Sequence, residues 1–174
     1  LEAAGVRLES IERIAGGRAA QLQGGDTAAE LSTRAGRLYE EEGLPDEAAN
    51  AYLEVLRRVP EHEDAYRRLR RILLRREQPA ALERLLSFKI AHTSDHNAKI
   101  LLYTERAALR LGQLGKRNEA IHDHRRILEL DPERVSSLRL LARLAMAEER
   151  FELAVNYLDR ALRRAGNQPE EAVA

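Results

Sequence analysis

The stretch GLPDEAANAYLEVLRRVP, residues 43–60, returns in altered form as GKRNEAIHDHRRILELDP at residues 115–132. Gly43, Ala48, Tyr52, Leu56 and Pro60 step by five, four, four and four residues, and Gly115, Ala120, His124, Leu128 and Pro132 take the same steps. Ala154, Leu158 and Leu162 follow Ala120, His124 and Leu128 at an interval of 34. The two full copies lie 72 residues apart, which is two periods of 34 with four residues added. A period of this size marks a stacked helical array, because one repeat cannot bury both of its faces and completes its core only against its neighbours. Arrays of this kind usually work as binding surfaces, so the class of function is legible here and the partner is not.

Working outward from these copies, the punctuation is that of helical hairpins. Pro45 and Pro79 stand just inside expected helix starts, where a missing N–H costs nothing. Pro60, Pro132 and Pro169 follow expected helix ends. Gly43 and Gly115 stand at helix C-termini, where a left-handed residue is needed. Between these marks apolar residues recur at three and four, as in Leu53, Leu56 and Val59, or Leu138, Leu141, Leu144 and Ala145. No stretch alternates, so no strand is expected. The spacing predicts helices over about 2–22, 29–42, 45–58, 62–77, 79–92, 97–113, 116–130, 133–148 and 150–165. The Gly16-Gly17 and Gly24-Gly25 pairs weaken the first of these, and the other eight pair as four hairpins.

Composition narrows the function. The chain has 174 residues, enough for one domain or one short array, with 44% hydrophobic and 33% charged residues. Lys and Arg number 29, as do Asp and Glu, so the net charge is zero and no basic excess points to nucleic acid or a membrane surface. No apolar run reaches the roughly 20 residues of a membrane-spanning helix. There is no cysteine, which fits a reducing compartment, and a cytoplasmic location is the expectation. The chain opens with Leu1, so its true N-terminus is expected to lie outside it.

The pattern resembles the tetratricopeptide repeat family, whose hairpin carries a small residue and an aromatic on the first helix, Gly at the turn, Ala then an aromatic on the second, and a closing Pro. Residues 29–62 carry Gly36, Tyr39, Gly43, Ala48, Tyr52, Leu56 and Pro60. Residues 101–134 carry Ala108, Gly115, Ala120, Leu128 and Pro132, and residues 135–168 carry Leu141, Ala142, Ala154, Leu158, Ala161 and Leu162. Residues 63–96 keep Tyr66, Leu69, Leu73 and Leu86 but lack the turn Gly and the closing Pro. The extra residues fall near His96 to Ile100. Residues 1–28 then form an N-terminal helical segment, and 169–174 a tail. The resemblance implies an all-α solenoid, a right-handed superhelix of four hairpins with a concave inner face. The small residues would let the two helices of a hairpin approach closely.

The resemblance also implies that first helices line the concave face. Thr33, Arg37, Glu40 and Glu41 would point inward, then Arg67, Arg71, Leu74 and Arg75, then Glu105, Leu109 and Gln113, then Arg139, Arg143 and Met146. Arg37, Arg67, Arg71, Arg75, Arg106, Arg139 and Arg143 are the candidate partner-binding residues. Arginine binds carboxylates bidentately, so an acidic protein or peptide segment is the expected partner. The alternative for such a face is a solvated surface laced with pairs such as Glu63 and Arg67. Some relatives clamp a terminal carboxylate with Lys, Asn and Arg. Here Arg67 and Arg106 would be the basic members, with Arg71 where an Asn is expected.

Other chemistry is thin. The six arginines between Arg67 and Arg76 alternate with Leu69, Ile72, Leu73 and Leu74 at helical spacing and are offset by Glu61, Glu63, Asp64 and Glu77, so no nucleic-acid partner is expected. His92 and His96 have the spacing of two metal ligands on one helix face, but no third ligand accompanies them, and no metal or cofactor is expected. His124, in the slot of Tyr52, reads as a packed ring. No phosphate-binding glycine loop, nucleophile elbow or zinc-protease motif is present, so the chain reads as a scaffold without catalysis. The runner-up is a structural or regulatory region of a larger enzyme or assembly protein. At the C-terminal end, Ala154, Leu158, Ala161 and Leu162 are expected to face their own hairpin, leaving Leu153 and Val155 outward. End-to-end self-association, or continuation into another helix, is the expectation there.

Overall fold

The structure is a computed structural model and describes residues 28–166. The expected helix over 2–22 and the tail after 168 lie outside the described residues. Among those described there are eight helices and no strand. They are α1 (Ala28–Glu41), α2 (Pro45–Arg58), α3 (Glu63–Arg75), α4 (Pro79–Ala91), α5 (His96–Gly112), α6 (Arg117–Leu130), α7 (Val135–Ala147) and α8 (Phe151–Gly166). Their bounds follow the sequence spacing to within one or two residues. Pro45 and Pro79 each open a helix. His62 caps α3 by accepting from the Ala65 N–H at 3.2 Å, and Asp95 caps α5 by accepting from Ala98 at 2.7 Å.

Helices pair as α1 with α2, α5 with α6 and α7 with α8. The chain divides into two compact units at the Gln78–Pro79 step, inside the expected second hairpin. The first unit holds α1–α3 and the second α4–α8.

In the first unit, Ala29, Thr33 and Gly36 of α1 meet Ala48, Tyr52, Val55 and Leu56 of α2, and α3 adds Ala65, Tyr66, Leu69, Ile72 and Leu73. A Cβ on Gly36 would stand 2.5 Å from Tyr52 Cε1 and 2.7 Å from Cζ, so α1 can approach the ring only through glycine. In the second unit the core is aliphatic and small: Leu82, Leu85 and Leu86, Ala107, Ala120, Ile127, Leu138, Leu141, Ala142, Ala154 and Ala161. Each fully buried leucine-sized side chain contributes about 1.5–3 kcal/mol.

The turns repeat with the period of the sequence. Gly43 and Gly115 are left-handed, with φ 71° and 65°. The corresponding residues of the other two turns, Glu77 and Glu149, are left-handed as well, at 50° and 59°. The same hydrogen bond explains three of the four: the N–H after the left-handed residue bonds a carbonyl five residues back, Leu44 to Tyr39, Gln78 to Leu73 and Arg150 to Ala145. The turn geometry is thus retained where its glycine is lost.

The four extra residues lengthen α5 to 17 residues, about one turn more than its counterparts. Its closing turn also carries one more residue, since Lys116 N–H reaches the Arg110 carbonyl, six residues back. This shifts the helix register by one position. Ala107 is buried and Ala108 exposed, so Ala107, not Ala108, makes the close contact. Leu109 is buried, and the open face of α5 runs through Leu101, Thr104 and Ala108 in place of Glu105 and Leu109.

The last helix also departs from expectation. Ala154 and Ala161 are buried, but Leu158 and Leu162 face outward with Val155, and Leu153 is half-buried.

Candidate functional site

In the first unit, α1 carries Arg37 and Glu40, and α3 carries Asp64, Arg67, Arg68, Arg71 and Arg75 at steps of three and four, so these side chains share a face. Asp64 accepts from Arg37 Nη2 at 2.8 Å and Arg68 Nε at 3.1 Å, with Arg67 3.7 Å away. Glu40 accepts from the Tyr52 hydroxyl at 2.6 Å, Arg68 Nη1 at 3.1 Å and Arg71 Nη2 at 3.4 Å. Two carboxylates thus serve four guanidinium groups, and Arg75, exposed one turn further on, has no ion partner among the described residues. The face keeps a surplus of positive charge.

Burial pushes the Glu40 carboxyl up, but the hydrogen bonds from Tyr52 and Arg68 and the charges of Arg68 and Arg71 outweigh it and hold it below the usual value. Hydrogen bonding from Arg37 leads in lowering Asp64. Burial first, then the bond to Glu40, raises the Tyr52 phenol. A cleft of about 230 Å³ lined by Glu30, Thr33, Arg34, Arg37 and His62 opens beside Arg37. Thr33 itself is buried and its hydroxyl donates to the Ala29 carbonyl at 2.8 Å, so it offers little to a partner.

In the second unit, Arg139 and Arg143 lie one turn apart on α7, exposed and without an ion partner among the described residues, with exposed Met146 next along the face. Arg106 is placed differently. Its side chain is only 12% exposed, and it binds the fully buried Asp123 of α6 through Nη2 at 2.6 Å and Nε at 3.2 Å. Nη1 donates to Ser87 Oγ at 2.8 Å, and the guanidinium stacks on Tyr103. Arg110 donates to Asp123 at 2.8 Å and to Glu83 at 2.8 Å, and Lys116 completes the chain to Glu83 at 2.5 Å. The register shift of α5 is the cause: Arg106 stands where α3 has Leu69 and α7 has Leu141, a core position. Sequence reasoning missed this network. Its signal is Asp123, a carboxylate on the inward stripe of α6.

The histidines resolve simply. His92 follows the last residue of α4, with Nδ1 2.9 Å from the Phe88 carbonyl, whereas His96 opens α5, so the two do not share one helix face. His124 is packed against α7, with Nδ1 3.0 Å from Ser137 Oγ. Burial lowers its pKa, opposed by Asp123.

A family model described as Tetratricopeptide repeat matches residues 33–82 and 106–169, more than half of the chain. The chain belongs to the tetratricopeptide repeat family. The unmatched interval, 83–105, holds most of α4 and the first part of the lengthened α5. Solved tetratricopeptide-like neighbours agree on the fold. A MamA protein structure aligns with a TM-score of 0.55 at 17% identity, covering 84% of this chain and 78% of that one. MamA AMB-1 aligns at 0.54 and 17%, covering 95% and 92%. A tetratricopeptide repeat protein from Parabacteroides merdae aligns at 0.54 and 17%, covering 80% and 54%. Likeness at this identity shows the fold alone. No curated protein matches the sequence. No described helix of this family member is long and apolar enough to cross a membrane. The fold is that of a protein-interaction scaffold.

Proposed function

We propose that this tetratricopeptide scaffold, acting without catalysis, receives an acidic or carboxylate-terminated segment of a partner protein on the arginine face of α1 and α3. The observation that carries the reading is the charge imbalance there. Asp64 and Glu40 are shared among Arg37, Arg67, Arg68 and Arg71, and Arg75 has no carboxylate among the described residues. An arriving carboxylate would meet oriented guanidiniums whose fork matches it bidentately. Arg139 and Arg143 on α7 offer a second basic pair of the same kind. Arg106 is left out of this reading, because Asp123 and Ser87 occupy its donors. A cytoplasmic site of action suits the cysteine-free sequence.

The test is a pull-down with the full chain and with the Arg71→Glu/Arg75→Glu variant. Both positions are exposed, so the fold should survive. The partner should be lost from the variant, and salt should weaken its binding to the parent, because exposed charge pairs are screened within about 10 Å at 0.1 M. A partner retained by the variant at high salt refutes the proposal.

A further inference from the structure

Granted an acidic partner on the face of α1 and α3, we propose that Arg68 is the positioning residue of that face and Glu40 its internal competitor. Arg68 holds Glu40 and Asp64 by one oxygen each, which keeps Arg67 and Arg71 available. A carboxylate of the partner then takes the place of Glu40 on Arg71.

The two oxygens of each acid are unequally bound. Asp64 Oδ2 accepts from Arg37 Nη2 at 2.8 Å and from Arg68 Nε at 3.1 Å, while among the described residues Oδ1 meets only Arg67 Nη2, at 3.7 Å. Glu40 Oε1 accepts from the Tyr52 hydroxyl at 2.6 Å and from Arg68 Nη1 at 3.1 Å, while Oε2 meets only Arg71 Nη2, at 3.4 Å. Charge-assisted bonds of 2.6–3.1 Å are strong, whereas contacts of 3.4 and 3.7 Å lie at or beyond the edge of hydrogen bonding. Arg68 is common to both firmly held oxygens and bridges α1 and α3 through two nitrogens of one planar group. Burial disfavours its cation, but the hydrogen bonds to Glu40 and Asp64 outweigh burial and raise its pKa. Exposure separates Arg68 from the outer pair: its side chain is 27% exposed, against 49% for Arg71 and 68% for Arg67.

The second unit has the same arginines without the acids. α7 repeats Arg67 and Arg71 as Arg139 and Arg143 at the 72-residue interval, but has Ser136 for Asp64 and Leu140 for Arg68. Where the acid is missing its anchor is missing too, which ties Arg68 to the carboxylates and not to the partner. Without Arg68, Glu40 would keep the Tyr52 hydroxyl and one cation, Arg71. Glu40 would close on Arg71 and Asp64 on Arg67, filling donors that the partner needs. With Arg68 in place, the partner has only the long Glu40 contact to break at Arg71.

The experiment titrates a rhodamine-labelled oligoglutamate peptide with the full chain and reads fluorescence anisotropy. The reference chain and all variants carry Arg139→Gln and Arg143→Gln, so that the probe reports the first unit. Arg68→Met should weaken binding, and Glu40→Gln should tighten it. Glu42→Gln makes the same charge change at an exposed residue paired with none of these arginines, and should move binding by less than about twofold, as a screened charge outside the contact does. The gain from Glu40→Gln should be about threefold or more larger in the Arg68→Met background than in the reference, within the coupling found between members of one charge network. A mere change of net charge, or a merely loosened fold, gives the same gain in both backgrounds. Circular dichroism checks folding, and if Arg68→Met unfolds, Arg68→Lys, which keeps the charge and loses the planar fork, takes its place in the cycle. Equal gains in the two backgrounds, or a Glu40→Gln variant no better than Glu42→Gln, overturn the proposal. A reference chain that does not bind the probe, or binds it as well after Arg71→Glu/Arg75→Glu, overturns the acidic-partner reading itself and this proposal with it.

Discussion

Replacing Asp123 with alanine should be among the most damaging single changes in the second unit. Asp123 is fully buried and accepts from Arg106 at 2.6 and 3.2 Å and from Arg110 at 2.8 Å. Without it, Arg106 keeps only Ser87 and the Tyr103 ring, while Arg110 keeps Glu83 and the Glu119 carbonyl. One buried guanidinium is left without a counter-charge, a loss of about 3–5 kcal/mol. That is a large share of the roughly 5–15 kcal/mol that holds a typical domain together. The ion pair as a whole is worth far less than its breakage suggests, because desolvation offsets most of the Coulomb gain. Arg106 stands where α3 and α7 have leucines, so Arg106→Leu combined with Asp123→Ala should recover most of the loss. Urea unfolding followed by far-ultraviolet circular dichroism measures both. A single variant within about 0.5 kcal/mol of the parent, the scatter of ordinary surface changes, would refute the network. A double variant no better than the single would refute the register.

Glu77→Gly and Glu149→Gly should each stabilise the chain by about 0.5–1 kcal/mol in the same assay. A left-handed non-glycine residue costs about 1–2 kcal/mol, and the entropy glycine adds to the unfolded chain offsets only part of the relief. Burial lowers the pKa of His124, so the folded state favours the neutral ring, and its stability contribution is complete above the unfolded value of 6.5 and lost as pH falls from there through the folded value. The urea midpoint should drop between pH 7.5 and 5.5 in the parent and move less in His124→Gln, ahead of the carboxylate losses that Glu40 and Asp64 bring nearer pH 4.

The helices and most turns were legible because they are encoded locally. Proline at a helix start and glycine in a left-handed turn act within a few residues of themselves, and Pro45, Pro79, Gly43 and Gly115 were found where the spacing put them, whereas Leu53, Val59, Leu158 and Leu162 of the apolar spacing face outward. The four-residue insertion was legible too, and it became an extra turn of α5. Its consequence was not. The added residue in the turn before Gly115 rotates α5 by one position, exchanging Ala107 for Ala108 and driving Arg106 into the core. Only then does Asp123 become a buried counter-ion and Arg106 leave the arginine face.

The sequence by itself determined that this is a hairpin array of the tetratricopeptide kind with arginines on its first helices. Only the tertiary structure decided which arginines are free, because that depends on carboxylates brought from other helices: Asp64 and Glu40 divided among four guanidiniums in the first unit, Asp123 and Glu83 in the second. It also decided the fate of Leu158 and Leu162. Their pattern is the same as that of Tyr52 and Leu56, but burial is a property of the neighbour as much as of the residue, and no described helix covers the face of α8 that carries Leu158 and Leu162.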